Sequence, residues 1–149
     1  MRNVVLSCAL FLLLPIVLIG CHGMRPRHLG VKDGKLAPCP DRPNCVSSQS
    51  NDKAHAVAPL TYKTTAADAL ADLKKIIAGG KHATIAEETP TYLHVEFTSA
   101  MFRFVDDVEF SVDEKAKVIN VRSASRIGYS DLGVNRRRVE AIRKAWERH

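Results

Sequence analysis

The chain lacks every short motif that announces a reaction. No Gly-x-Ser-x-Gly elbow, zinc-protease helix, phosphate loop or dinucleotide fingerprint is present. Internal repeats and low-complexity tracts are absent too. Aromatic residues make up only 6% of the chain and do not interleave with the arginines, and no basic block gathers. Nucleic acid is therefore a poor partner. The net charge of +6 is spread along the chain, a balance that suits an anionic membrane surface or an anionic ligand. A length of 149 residues leaves room for one domain.

What is present begins with an address. Met1-Arg2-Asn3 is a short positive start, Val4 to Ile19 is apolar, and the segment ends Leu18-Ile19-Gly20-Cys21. This resembles a bacterial lipoprotein signal peptide over residues 1–20, with Cys21 as the acceptor of lipid. An uncleaved anchor is the alternative, but the apolar run falls short of the roughly 20 residues that span a bilayer, and Pro15 interrupts it. Thioether and amide acylation together exceed the single chain that binds membranes only marginally. His22 stands where an aspartate would favour inner-membrane retention, so the expectation is a cell-envelope protein facing the periplasm, on the outer rather than the inner membrane.

Residues 21–38 hold glycines, prolines and scattered basic residues without an apolar period, which reads as a flexible tether. Cys39 and Cys45 then bracket a proline-rich turn. Outside the cytoplasm such a pair most simply forms a disulfide. Redox catalysis generally uses a closer pair at a helix start. A metal site would need further ligands, and His55 fits no zinc spacing.

The folded domain is expected over 39–149. Thr65 and Asp68 cap a helix whose apolar stripe includes Leu70, Leu73 and Ile77, and Gly79-Gly80 ends it. Leu60 to Tyr62, Ala83 to Glu87, Leu93 to Phe97, Phe102 to Val112 and Val118 to Ala124 read as strands, joined by turns short enough to make them antiparallel. A last helix from about Leu132 to Arg148 carries Val139, Ile142 and Trp146 on one stripe. The order β-α-β-β-β-β-α predicts an α+β two-layer sandwich, a sheet of four to five strands with both helices on one face.

Asp106 shares the parity of Phe102, Phe104 and Phe110, so strict alternation buries its carboxylate. Either a bulge at Asp106-Asp107 turns it outward, or it is paired with an arginine, for which Arg122 and Arg126 are the natural candidates. The stretch from Arg122 to Arg138 concentrates the polar chemistry: Arg122, Ser125, Arg126, Asp131, Asn135, Arg136 and Arg138 surround a glycine-punctuated loop and a helix start. Asp131 or Asn135 suits the cap, and free N–H groups there would face an anion. The arginines offer bidentate donors for phosphate or carboxylate. The same residues, with Asp106 and Asp107, would equally lock a loop onto a sheet.

Cys39-Pro40 through Pro43-Asn44-Cys45-Val46-Ser47-Ser48, Phe102-Arg103-Phe104-Val105-Asp106-Asp107, and Arg122-Ser123 through Asn135-Arg136 resemble the blocks of the domain-of-unknown-function family 1499 of bacteria and plant plastids. The resemblance covers about Cys39 to Trp146 and implies a domain boundary, but no activity.

Three readings follow. The first is a non-catalytic envelope lipoprotein that binds a small anionic ligand or a partner protein, the second a purely structural role in envelope assembly. The third is an enzyme of hydrolase type using His94, Asp106, Asp107 or Asp131. His94 lies on the polar parity of its strand, where a solvated residue is expected, and Asp106 and Asp107 point to opposite faces. No catalytic residue, cofactor or metal is assigned.

Overall fold

The computed structural model describes residues 23–149; the segment expected to be a signal peptide and Cys21 lie outside them. In chain order the elements are β1 (Val31–Lys32), β2 (Lys35–Leu36), β3 (Cys45–Ser47), β4 (Leu60–Thr61), α1 (Ala66–Ala78), β5 (Ala83–Thr89), β6 (Tyr92–Thr98), β7 (Val105–Asp113), β8 (Val118–Ser125) and α2 (Val134–Trp146). One antiparallel sheet runs β3-β8-β7-β6-β5, with β4 sharing the outer edge of β8; β1 and β2 form a separate hairpin. This is the expected α+β sandwich, with six strands in the main sheet rather than four or five.

Local chemistry explains the helices. Thr65 Oγ1 accepts from the Asp68 backbone N–H at 3.1 Å and donates to its carboxylate at 2.7 Å, which satisfies a donor that the first turn leaves open. The α1 stripe then buries Ala69, Leu70, Leu73 and Ile77. These pack with Val139 and Ile142 of α2 on Val95, Val108, Phe110, Ile119 and Val121, so both helices cover one face of the sheet. From α2, Arg136 donates to the carbonyls of Ala54 and Ala56, and Arg143 to those of Ala58 and Pro59. The connection between β3 and β4 is thereby fixed to the helix. No helix among the described residues is long and apolar enough to cross a membrane.

Two expectations are corrected. Phe102 and Phe104 do not continue the core parity. The strand starts at Val105, because Arg103 takes a left-handed φ of 58° and the loop closes through Phe104 N–H to Ser99 Oγ and Ser99 N–H to Phe104 O. Both phenylalanines are exposed. The segment read as a tether is, from Gly23 on, laid against the second face of the sheet. Its hairpin turns through Asp33-Gly34, both at positive φ, the geometry that fits the twist of two flanking strands. Leu36 is buried, and the Gly30 N–H donates to Glu109 Oε1 at 2.7 Å. Cys39 and Cys45 are joined by a disulfide, which closes the turn leading into β3.

Candidate functional site

Alternation along β7 divides its carboxylates. Asp106 lies on the helix face; Asp107 and Glu109 lie on the other. The register is regular through this point, with Asp106 opposite Phe97 and Ser125, and Asp107 opposite Glu96 and Ala124. No bulge is present there. Asp106 is buried and paired, but its partner is Arg138, at 2.5 Å, and neither Arg122 nor Arg126. The Arg138 guanidinium also stacks 4.8 Å over the Phe97 ring. It reaches Asp106 because α2 folds back over the sheet, a return that spacing along the chain does not reveal.

On this helix face Asn135 is the hub. It is fully buried; its Nδ2 donates to Ser125 Oγ, Asn44 O and Asp131 Oδ2, and its Oδ1 accepts from Ser123 Oγ and Arg138 Nη1. The residue before α2, Gly133, has no side chain to cap with. Asp131 acts in its place, accepting from the Gly133 and Asn135 N–H groups at 2.8 Å each. Two of the donors that were candidates for an external anion are thus met by a carboxylate of the chain, and the Val134 N–H by the Asp131 carbonyl. Arg136 serves the loop carbonyls described above.

The second face carries two ionic networks. Arg122 donates to Glu109 Oε2 at 3.1 Å, with the two side chains 3% and 0% exposed. Glu109 Oε1 also accepts from the Tyr92 hydroxyl and Gly30 N–H. Next to it, Arg126 forks onto Asp107, Nε at 2.8 Å and Nη2 at 2.7 Å, and reaches Glu96 at 2.5 Å. Arg25 joins from the N-terminal segment, 2.7 Å from Glu96. His94 is corrected from solvated to buried: its Nε2 lies 2.7 Å from Asp107 Oδ1, and it is 1% exposed. The expectation failed because it took this face to meet water, whereas the segment from Gly23 covers it. Glu96, Glu109 and Tyr92 were not singled out from sequence. The signal available was parity, since Glu109 shares the face of Asp107 and stands opposite Arg122.

Burial alone would raise the Asp107 and Glu96 carboxyls, but hydrogen bonds and charge from Arg126, with His94 on the former and Arg25 on the latter, outweigh it. Both are held below their ordinary values of 3.8 and 4.5. The unfolded chain therefore binds more protons across that range. The stabilisation is complete above those values and is lost as pH falls toward the lower folded ones. Urea-unfolding stability should hold level down to about pH 5 and decline below it, and Arg126→Met should flatten that decline. An acid limb of unchanged steepness in the variant would contradict the assignment.

The donor atoms of His94, Glu96 and Asp107 lie within 4.8 Å of one another, a spacing that suits a metal ion. Arg126 Nη2 lies between the two carboxylates, so a guanidinium supplies the positive charge there. None of these groups forms an exposed acid–base pair, and Asp106 and Asp107 are separated by the sheet itself.

Between the second face and the covering segment lies a cleft of about 470 Å³, lined by His28, Arg42, Asn44, Asp107, Arg122 and Arg126, with Cys39 at its wall. Two buried polar atoms of its lining have no partner among the described residues, Arg122 Nε and Asn44 Oδ1. Residues 35–146 match the family model described as protein of unknown function, DUF1499. The chain belongs to the DUF1499 family. No curated protein and no solved structure matches it significantly. In this DUF1499 protein the match begins inside the hairpin, at Lys35, before Cys39.

Proposed function

We propose that this DUF1499 protein is a non-catalytic, lipid-anchored domain of the cell envelope that binds a small anionic ligand in the cleft between residues 26–44 and the second face of the sheet. The lipid would sit on Cys21, and His22 in place of an aspartate favours the outer membrane. The observation that carries the ligand reading is Arg122. It lines the cleft, is almost wholly buried, and has an Nε donor without a partner. A buried donor left unmet costs on the order of 1–3 kcal/mol, and a carboxylate or phosphate oxygen would satisfy it. Arg42 at the cleft adds positive charge.

A structural role in envelope assembly is the second reading, favoured by the intramolecular engagement of Arg126, Arg136 and Arg138. Calorimetric titration of the acylated protein with inorganic phosphate and with citrate separates the two. Ligand binding predicts saturable heat that Arg122→Lys weakens at least about tenfold, because an ammonium keeps the charge near Glu109 but loses the planar fork. Titrations without heat for either anion would leave the assembly role as the better account. A partner protein engaging the same cleft would compete with the bound anion.

A further inference from the structure

We propose that the end of the sheet bearing the β6–β7 and β8–α2 loops is a membrane-docking surface, seated in the headgroup layer of the bilayer that holds the lipid on Cys21. This rests on the lipid anchor proposed above.

The first observation is where the chain leaves the domain. A Cβ on Gly23 would lie 3.0 Å from Ile127 Cγ2 and 3.3 Å from Arg126 Cβ. Arg25, two residues on, is ion-paired to Glu96. Gly23 is therefore packed against the start of the β8–α2 loop. Cys21 is only two residues upstream, a reach of at most about 7 Å. The acyl chains would enter the bilayer beside this end of the sheet and no other.

The second observation is independent of the first. The same end gathers the exposed apolar side chains. Register places it: Thr98 pairs with Val105 and Asp106 with Ser125, and the Arg126 N–H donates to Val105 O, so the two loops emerge together. In them Met101, Phe102, Tyr129 and Leu132 are 81%, 62%, 70% and 85% exposed, and Met24 beside them is 94% exposed. Phe102 stacks on Phe104 with ring centroids 5.7 Å apart. Single exposed apolar residues need no explanation, but several crowded at one end do. Aromatic and long apolar side chains with cations among them are what an interfacial surface presents. Arg103 and Arg137 are exposed at this end and complement anionic headgroups.

The test uses the chain's single tryptophan as its control. Trp146 Nε1 donates to Thr61 O, and Thr61 pairs with Val118 at the opposite end of β8. That eight-residue strand separates it from the docking end by roughly 25 Å, at about 3.3 Å per residue. The acylated protein is placed in phosphatidylethanolamine–phosphatidylglycerol vesicles containing brominated acyl chains. Phe102→Trp and Tyr129→Trp are each made in a Trp146→Phe background. Bromine should quench both loop tryptophans severalfold more than it quenches native Trp146. Mass spectrometry of the mature N-terminal peptide reports acylation separately. An acylated protein whose loop tryptophans are quenched no more than Trp146 overturns the docked orientation alone. A mature chain without acyl groups overturns the anchor, and the orientation with it.

Discussion

Glu109→Ala should lower unfolding stability by about 3–5 kcal/mol, because it leaves a buried guanidinium without a counter-charge. Arg122 is 3% exposed and Glu109 is its only ion-pair partner among the described residues. The same carboxylate is the acceptor for the Tyr92 hydroxyl and the Gly30 N–H, so two further groups lose their partner. Its charge also adds to burial in pushing the Tyr92 hydroxyl pKa upward. The measurement is the urea midpoint at unchanged slope. Replacing both ions with apolar residues of similar volume, Glu109→Leu with Arg122→Met, should recover much of the loss. A single variant within about 1 kcal/mol of wild type would show that water reaches the pair in solution.

Asn135→Ala should cost at least about 3 kcal/mol, since each buried group left unmet costs about 1–3 kcal/mol. Its amide meets Ser125, Asn44 and Asp131 on one side and Ser123 and Arg138 on the other. The change would disconnect β3, β8 and α2 at one point. Asp131→Ala, which removes the substitute cap, should cost less, about 1–2 kcal/mol. If the order of the two is reversed in urea unfolding, the hub is Asp131 and not Asn135.

Much of the fold was legible because some segments state both their period and their ends. Thr65, Asp68 and Gly79 bound a stripe that only a helix explains, and Leu93, Val95 and Phe97 alternate without interruption. Val31 to Leu36 carried a signal too, Asp33-Gly34 between two short runs, but the basic residues and glycines around it read as tether. β3 is three residues long, too short for a period. Phe102 and Phe104 misled because parity says which residues share a face and nothing about where a strand begins; the Ser99 loop decides that.

The site was legible in membership more than in geometry. Arg122 to Arg138 reads as one cluster along the chain, yet β8 sends alternate residues to opposite faces and α2 returns over only one of them. Arg122 and Arg126 consequently belong with Glu109 and Asp107, while Asn135 and Arg138 belong with Asp106. The identity of the pairs depends on that return path, and on a covering segment whose composition resembles linker.

The arginine forks that α2 places on the β3–β4 connection have a consequence for turnover. A protease must draw an extended stretch of backbone into its active site, and exposed connections are where it usually begins. Here the carbonyls of Ala54, Ala56, Ala58 and Pro59 are all engaged by Arg136 and Arg143. Drawing the stretch out breaks these four contacts with α2, whose Val139 and Ile142 are part of the core. Cleavage there should therefore require more opening than the fraying of a free loop, and the protein's lifetime in the presence of proteases should follow its stability.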